Sequence, residues 1–266
     1  MARKISEEIE KKVCTDYLTD KYSSRELGIK YNLSKSTILR ILQRNNITPI
    51  NHRLVNNKLI VNYFEHIDCE EKAYLLGFIF ADGSVNNGQL WIDINDKDRE
   101  ILEKIRNLLH SNCKISTRIK GKSIMSRITI KNTNFVSYLE QYGIIKNKTK
   151  ETRHLPIDKI PQIFQKDFLR GLIDGDGWLT KDANNNWHIG YVTQYNTTAE
   201  DFVIMINNFL NPKWNNKIIR RNNKYAVVQI QSKIQVEQLA HALYADNKIC
   251  LSRKFQLAQE IYDSKC

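Results

Sequence analysis

The amino-acid sequence predicts an α+β protein in which two similar halves follow a small all-helical domain. Two mostly apolar runs, residues 74–83 and 168–177, both end in Asp-Gly. Each run precedes the same succession of alternating segments, typical of strands, and of segments with helical periodicity. The first 50 residues, by contrast, carry only helical spacing. Because the order αββαββα occurs twice, we predict two pseudo-symmetric half-domains, residues 69–155 and 156–266.

Residues 1–50 predict a helical domain that ends in a helix-turn-helix pattern. An amphipathic helix is expected over residues 6–19, followed by two short helices joined by a turn at Asn32. Ser34 is placed to cap the second of these, which extends to Arg44. The predicted apolar core of the domain is Leu27, Ile29, Leu33, Ile38 and Leu42. A plain helical hairpin is the alternative interpretation, because short helical pairs are common.

The second short helix exposes polar and basic side chains. Short polar groups on such a helix can reach base edges, and cations can reach phosphates. The predicted nucleic-acid contacts of this domain are Ser34, Lys35, Ser36, Thr37, Arg40 and Arg44.

Residues 51–68 predict a linker, because they are rich in Asn, His, Arg and Lys and have few periodic apolar positions. Tyr63, Phe64 and Ile67 are expected to tie the end of this linker to the next domain.

The two apolar runs predict a pair of closely packed helices. Gly77 with Ala81, and Gly171 with Gly175, place two small residues on one helical face of each run. Such spacing lets two helix backbones approach closely. The following residues, Gly83 and Gly177, are predicted to stop each helix in the left-handed C-cap conformation.

If these helices pack together, Asp82 and Asp176 lie side by side at their ends. Two carboxylates at helix C-termini repel each other and the partial negative charge of each helix end. A cation is therefore expected between them, and a hard divalent ion with oxygen ligands, Mg²⁺ or Mn²⁺, is suited to this place and to phosphodiester hydrolysis. The alternative is that both residues merely cap neighbouring backbone.

The rest of each half predicts alternating helices and strand pairs. In the first half, strands are expected over residues 89–95, 113–120 and 124–131, and helices over 97–110 and 134–142. In the second half, the expected strands are 178–180, 187–194, 217–221 and 225–231, and the expected helices begin at 198, 235 and 252.

Basic residues cluster on two of these strand pairs. The first set has no acid between residues 114 and 131, and a face of one sign of charge indicates contact with phosphates. An ordinary soluble sheet edge is the alternative. The predicted contacts are Lys114, Arg118, Lys120, Arg127 and Lys131 in the first half, and Lys217, Arg220, Arg221 and Lys224 in the second.

Composition restricts the class of protein. The formal net charge of +12 favours a polyanionic partner. The five cysteines are scattered without Cys-x-x-Cys spacing, which argues against a disulfide framework or zinc module and for a reducing compartment. We expect an intracellular, soluble protein, because the sequence has no secretory leader pattern and no apolar run of membrane-spanning length.

The paired apolar runs resemble the two motifs of a single-chain LAGLIDADG homing endonuclease, and the similarity extends from about residue 69 to the C-terminus. The N-terminal pattern resembles the helix-turn-helix of resolvases and transposases. Two positions depart from the family motif, since Phe80 stands where an acid is usual and Arg170 where a small residue is usual. The resemblance implies a monomer whose two sheets form a saddle on double-stranded DNA, with Asp82 and Asp176 holding Mg²⁺.

The resemblance also implies further residues of a catalytic pocket. Gln194 and, in the first half, Asn95 correspond to a polar residue at the end of a strand. Lys148 and Lys254 correspond to a lysine after the last strand pair of each half. Asp174 is expected to bond at a helix end rather than to hold a metal.

The resulting prediction is a metal-dependent, site-specific double-strand DNA endonuclease of the homing type. Two alternatives remain open at this stage. The first is a non-cleaving transcription regulator built from LAGLIDADG-like units, and the second is an RNA-splicing maturase.

Overall fold

The computed structural model divides the chain into two compact units, residues 1–55 and 56–266. The structure describes residues 5–18, 22, 24–47, 59–146, 153–222 and 224–263. Residues 51–58 of the predicted linker lie outside these ranges.

Within its described residues, the N-terminal unit has three helices, α1 (Glu7–Leu18), α2 (Ser24–Lys30) and α3 (Lys35–Arg44). Ser34 caps α3 as predicted, and its hydroxyl accepts a hydrogen bond from the backbone N–H of Thr37 at 3.1 Å. The buried core is Val13, Tyr17, Leu27, Ile38, Ile41 and Leu42. The prediction that Ile29 belongs to this core was wrong, because its position on α2 turns it outward and leaves it 77% exposed.

The larger unit contains two copies of one helix and strand order. Its helices are α4 (Glu70–Asp82), α5 (Arg99–Leu108), α6 (Thr133–Glu140), α7 (Gln165–Asp176), α8 (Asn196–Ile206), α9 (Lys233–Tyr244) and α10 (Ser252–Asp263). Its strands are β1 (Gly83–Asn86), β2 (Gln89–Asn95), β3 (Ser116–Lys120), β4 (Ser123–Lys131), β5 (Gly177–Lys181), β6 (Trp187–Thr193), β7 (Ile219–Arg221) and β8 (Tyr225–Ile230).

The two sheets have the same antiparallel topology. Their strand orders are β1-β2-β4-β3 and β5-β6-β8-β7. Gly83 pairs with Ile92 in the first sheet, and Gly177 pairs with Tyr191 in the second, so the registers also correspond. The predicted repeat of an αββαββα unit is therefore confirmed, and α10 follows the second copy as an additional helix.

Helices α4 and α7 pack against each other at backbone distance. A Cβ atom on Gly77 would lie 2.1 Å from the carbonyl oxygen of Phe168, and one on Gly171 would lie 2.1 Å from that of Tyr74. Because α4 is apolar on all sides, its residues 73–80 are buried, and the two helices form the centre of one core shared by both halves.

The segment that precedes α4 belongs to the larger unit from residue 59 onward. Tyr63, Phe64 and Ile67 are buried in its core, as is Leu59. These contacts agree with the expected anchoring of the linker end. Among the described helices, none is long and apolar enough to cross a membrane.

The glycines after the motif helices correct one prediction. Gly83 has φ −76° and Gly177 has φ −103°, so neither adopts the left-handed conformation. Their lack of a side chain is needed for space instead, since a Cβ on Gly83 would lie 2.5 Å from the carbonyl oxygen of Ile79. A Cβ on Gly177 would lie 2.8 Å from that of Gly190 on the neighbouring strand.

Candidate functional site

Asp82 and Asp176 are the last residues of the paired helices α4 and α7. Both side chains are half-buried rather than enclosed. A Cβ atom on Gly175 would lie 2.4 Å from the Cβ of Ala81 and 3.3 Å from Oδ2 of Asp82. The lack of a side chain at Gly175 is therefore what lets the end of α7 approach Ala81 and the Asp82 carboxylate this closely.

Lys254 lies at the end of α7 and is almost fully buried, at 1% exposure. Its Nζ donates to the carbonyl oxygens of Ile173, Asp174 (2.8 Å) and Gly177 (2.7 Å). Burial lowers the pKa of this ammonium to about 8, and the negative charges of Asp174 and Asp82 oppose that shift. The predicted pocket lysine thus uses its three hydrogens to cap the helix that carries Asp176.

Arg153 performs the corresponding task in the first half. Its Nη1 donates to the carbonyl oxygen of Phe80 at 3.1 Å, and its guanidinium lies 3.3 Å from the centre of the Phe80 ring. Phe80 is equivalent to Asp174, whose carbonyl Lys254 bonds. Burial lowers the pKa of Arg153 to about 10, and the charge of Asp176 is among those that oppose the shift. A cation therefore lies at the end of each motif helix, fully buried in the case of Lys254 and half-buried in the case of Arg153.

Sequence reasoning missed Arg153 and selected Lys148, which lies outside the described residues. The role predicted for Lys148 stays a prediction, but the spacing of the repeat contained a signal for Arg153. Lys254 follows Asp176 by 78 residues, and Arg153 follows Asp82 by 71, whereas Lys148 follows Asp82 by only 66.

Phe80, the first departure from the motif, is equivalent to Asp174 in the second half, and the two residues have different surroundings. Asp174 is buried and accepts hydrogen bonds from the Tyr74 hydroxyl (2.8 Å), the Tyr244 hydroxyl (2.7 Å) and the Leu251 N–H (2.7 Å). Burial raises the pKa of Asp174 despite the nearby charge of Lys254. Phe80, at the equivalent position, instead stacks under a guanidinium, so the two halves solve this position differently.

Arg170 fills its unusual position as a buried structural residue. It is fully buried, and Nη1 donates to Asp167 Oδ1 at 2.8 Å and to the Leu243 carbonyl at 2.9 Å. Its Nε donates to the Ile249 carbonyl at 2.9 Å. A buried charge is tolerated where it is paired and hydrogen-bonded, as it is here.

Asn95 and Gln194 occupy equivalent positions at the ends of β2 and β6, as the resemblance implies. Both side chains are exposed. The side chain of Asn95 also caps the short 3₁₀ turn that follows, because its Oδ1 accepts from the Lys97 N–H at 3.1 Å. Catalytic roles for the pair remain predictions.

The predicted basic residues of the first sheet share one face, which the helices do not cover. Arg127 and Lys131 on β4 alternate with buried residues, as strand geometry requires. Arg118 and Lys120 lie on β3, whose five residues are all exposed, and Lys114 precedes this strand. The face is not purely basic, however. Asp93 on β2 lies opposite Arg127 and forms an ion pair with it, an acid that the stretch from 114 to 131 does not contain.

The second sheet distributes its predicted cations differently. Arg220 and Arg221 are neighbours on β7 and therefore point to opposite faces. Lys224 lies in the turn between β7 and β8, whereas Lys217 precedes the opposite end of β7. In the N-terminal unit, Arg44 is ion-paired with Glu10 at 3.1 Å.

Replacing Lys254 with methionine is expected to change the pH dependence of stability. Between pH 8 and 10.5 the unfolded chain holds the Lys254 proton and the folded chain does not, so this group makes stability rise with pH. The difference in unfolding free energy between wild type and Lys254→Met should grow from pH 8 to 9.5, by at most about 1.4 kcal/mol per pH unit. Denaturant titrations at several pH values measure it. The exposed Lys233→Met variant is the control, and a difference that stays constant with pH would contradict this role.

Comparisons with known proteins agree with this architecture. A LAGLIDADG-like domain family matches residues 70–152, and the WhiA LAGLIDADG-like domain family matches residues 165–261. No curated protein sequence matches the chain.

Among solved structures, the chain is similar to the N-terminal LAGLIDADG domain of DUF199/WhiA, at 17% identity and a TM-score of 0.46, covering 71% of this chain and 92% of that one. It is also similar to the homing endonuclease I-GzeII in complex with its DNA target, at 10% identity and a TM-score of 0.47, covering 73% and 91%. A third similar structure is I-DmoI in complex with DNA and Ca, at 14% identity and a TM-score of 0.49, covering 75% of this chain and 98% of that one. From the matching family models and the repeated topology, we conclude that this chain carries two LAGLIDADG-like domains in tandem, the second of the WhiA type.

Proposed function

We propose that this protein is a metal-dependent, site-specific endonuclease that cleaves both strands of duplex DNA. The observation that carries the proposal is that Asp82 and Asp176 end two helices packed at backbone distance, with Oδ2 of Asp82 3.3 Å from the Cβ position of Gly175, the neighbour of Asp176. Metal-assisted hydrolysis of a phosphodiester needs a divalent ion that is held at a site open to water and substrate.

The donor set at this place fits a hard divalent cation. Carboxylate oxygens are the ligands that Mg²⁺ and Mn²⁺ prefer, and Asp82 and Asp176 are the residues that would hold the ion. Such an ion supplies an activated water and stabilises the charge on the leaving oxygen. Both carboxylates are only half-buried, so an ion can reach them from solvent.

Arg153 and Lys254 support this chemistry without touching the reacting atoms. Each donates to backbone carbonyls at the end of its motif helix. These carbonyls carry the negative end of the helix dipole, and a cation there offsets it. Arg153 and Lys254 therefore reduce the electrostatic cost of holding a carboxylate at the end of each motif helix.

The remaining residues bind and orient the DNA in this proposal. The exposed sheet faces carry cations suited to duplex DNA, and a two-stranded ribbon fits the major groove. Because one chain supplies both carboxylates, a monomer suffices. The N-terminal unit, with Lys35 and Arg40 exposed on α3, would lengthen the contacted site.

A non-cleaving DNA-binding regulator is the second candidate. It is favoured by the match of residues 165–261 to the WhiA type of domain. Both candidate proteins bind DNA, but only the endonuclease cleaves its phosphodiester bonds.

A selection on a library of randomised DNA duplexes tests the proposal. The full chain is incubated with the library in Mg²⁺, in Mn²⁺ and in EDTA, and bound duplexes and cut ends are sequenced separately. We expect one enriched sequence among the bound duplexes in all three conditions, and cut ends of that sequence only with a metal. Enrichment without any cut ends would favour the regulator, and no enrichment would overturn both.

A further inference from the structure

Three charged side chains form a connected group on the exposed face of the first sheet. Asp93 on β2 lies directly opposite Arg127 on β4, and Arg118 projects from β3 on the other side of Arg127. Oδ2 of Asp93 accepts from Nη2 of Arg127 at 2.8 Å and from Nη2 of Arg118. One carboxylate oxygen thus holds two guanidinium groups from different strands. We name this group the Arg-Asp-Arg clamp.

The fold itself does not require the clamp, as the second half demonstrates. The matching registers of the two sheets make Asp93 equivalent to Val192 and Arg127 equivalent to Val227. Arg118 is equivalent to Arg221. The second sheet therefore forms the same topology with two valines and one arginine at these positions. Some property other than folding must account for the acid in the first sheet.

The exposure of the three side chains shows which of them can meet a ligand. Arg118 is 46% exposed and Arg127 is 32% exposed, whereas Asp93 is 18% exposed. The second oxygen of Asp93, Oδ1, is buried and has no hydrogen-bond partner within the described part of the chain. Asp93 is therefore a positioning residue, and the arginines are the groups that face outward.

An acid on a DNA-facing surface has opposite effects on two kinds of binding. It lowers the affinity for phosphates in general, because it removes one unit of positive charge. It also fixes the direction of two guanidiniums, and an arginine held in place loses less side-chain entropy when it binds. A guanidinium that points along the groove donates two hydrogen bonds to O6 and N7 of guanine, which no other base accepts in that way.

We propose that the Arg-Asp-Arg clamp contacts guanine bases, and that Asp93 directs Arg118 and Arg127 to those bases instead of to phosphates. The inference rests on the proposed binding of duplex DNA, but not on cleavage. Because the second sheet has no clamp, the bound sequence has a guanine preference in the half contacted by the first sheet and none of this origin in the other half.

Two variants test the clamp in the full-length chain. Asp93→Asn removes the charge and keeps the shape. Asp93→Val with Arg127→Val copies the residues that the second sheet already accommodates, which safeguards folding. Glu260→Gln is the matched control, since it removes an exposed acid from an ion pair with Lys181 elsewhere. Binding to the library-selected duplex and to a random-sequence duplex is measured at several salt concentrations, and base preferences are selected again.

For Asp93→Asn we expect the ratio of selected-duplex to random-duplex affinity to fall roughly 5- to 150-fold, the range for losing one well-placed bidentate contact. Random-duplex affinity should stay equal or rise, with a salt slope steeper by about 1, because one positive charge is gained. Both variants should lose guanine at the same positions, and Glu260→Gln should lose it nowhere. Unchanged guanine positions, or an equal loss of both affinities, would overturn the clamp. If the wild-type chain enriches no duplex, the proposed function fails instead, so the two failures are distinguishable.

Discussion

Changing Asp82 or Asp176 to asparagine is expected to abolish double-strand cleavage while DNA binding persists. Each change keeps the size of the side chain but removes a charged oxygen ligand from the place where the helix ends meet. A divalent ion contributes several kcal/mol to the stabilisation of a phosphodiester transition state, so the cleavage rate should fall by on the order of 10³-fold or more. Cleavage of the selected duplex under single-turnover conditions measures the rate, and a gel-shift assay measures binding.

Asp158→Asn is the control for this experiment, because Asp158 is exposed on a 3₁₀ turn and belongs to neither motif helix. It should cleave at the wild-type rate. The affinity of Asp82→Asn for DNA should remain equal or increase, since a negative charge near the backbone of the DNA is lost. Cutting by the double variant Asp82→Asn with Asp176→Asn would end the assignment of these acids.

Gly171→Ala is expected to be the most destabilising single methyl addition in the larger unit. The new Cβ would lie 2.1 Å from the carbonyl oxygen of Tyr74 and 2.7 Å from the backbone nitrogen of Phe78. Both are backbone atoms of α4, so no side chain can turn away and the two helices must separate. A loss of about 3–5 kcal/mol in unfolding free energy is expected, which is large for one substitution. Urea denaturation followed by circular dichroism measures it.

Gln256→Ala on the exposed side of α10 is the control for the effect of alanine in a helix. Its unfolding free energy should be within about 0.5 kcal/mol of that of wild type, as for an ordinary surface position. If Gly171→Ala were equally mild, α4 and α7 would not be in contact at this glycine in solution.

Local patterns predicted the order of the elements, because alternation and helical periodicity are properties of short segments. The glycine spacing at 77 and 171 even predicted a contact between segments far apart in sequence, since a helix without side chains on one face has few other uses. For two other glycines, Gly83 and Gly177, the prediction of a left-handed conformation was wrong. A sequence cannot distinguish a glycine required by a positive φ from one required by a close neighbour, and here the neighbours are Ile79 and Gly190.

The details of the candidate site depended on contacts that no local pattern contains. Arg153 reaches Phe80 across 73 residues, and the linear sequence around it has no motif. Asp93 lies within the predicted strand 89–95, but its partnership with Arg118 depends on strand order, in which β4 lies between β2 and β3. Asp174 was expected to be a hydrogen-bonding residue, although its partners Tyr74 and Tyr244 became apparent only in three dimensions.

The contact between α4 and α7 also bears on how the two halves can diverge in descent. A side chain added at Gly77 or Gly171 would clash with the backbone of the motif helix in the other half. Neither motif helix can therefore change at these positions without a change in the other. The outer sheets are under no such mutual constraint, and Asp93 in one half already stands where Val192 stands in the other. In related proteins, new binding preferences would therefore arise from substitutions in the strands of one half at a time, while the sequences of the paired helices change little.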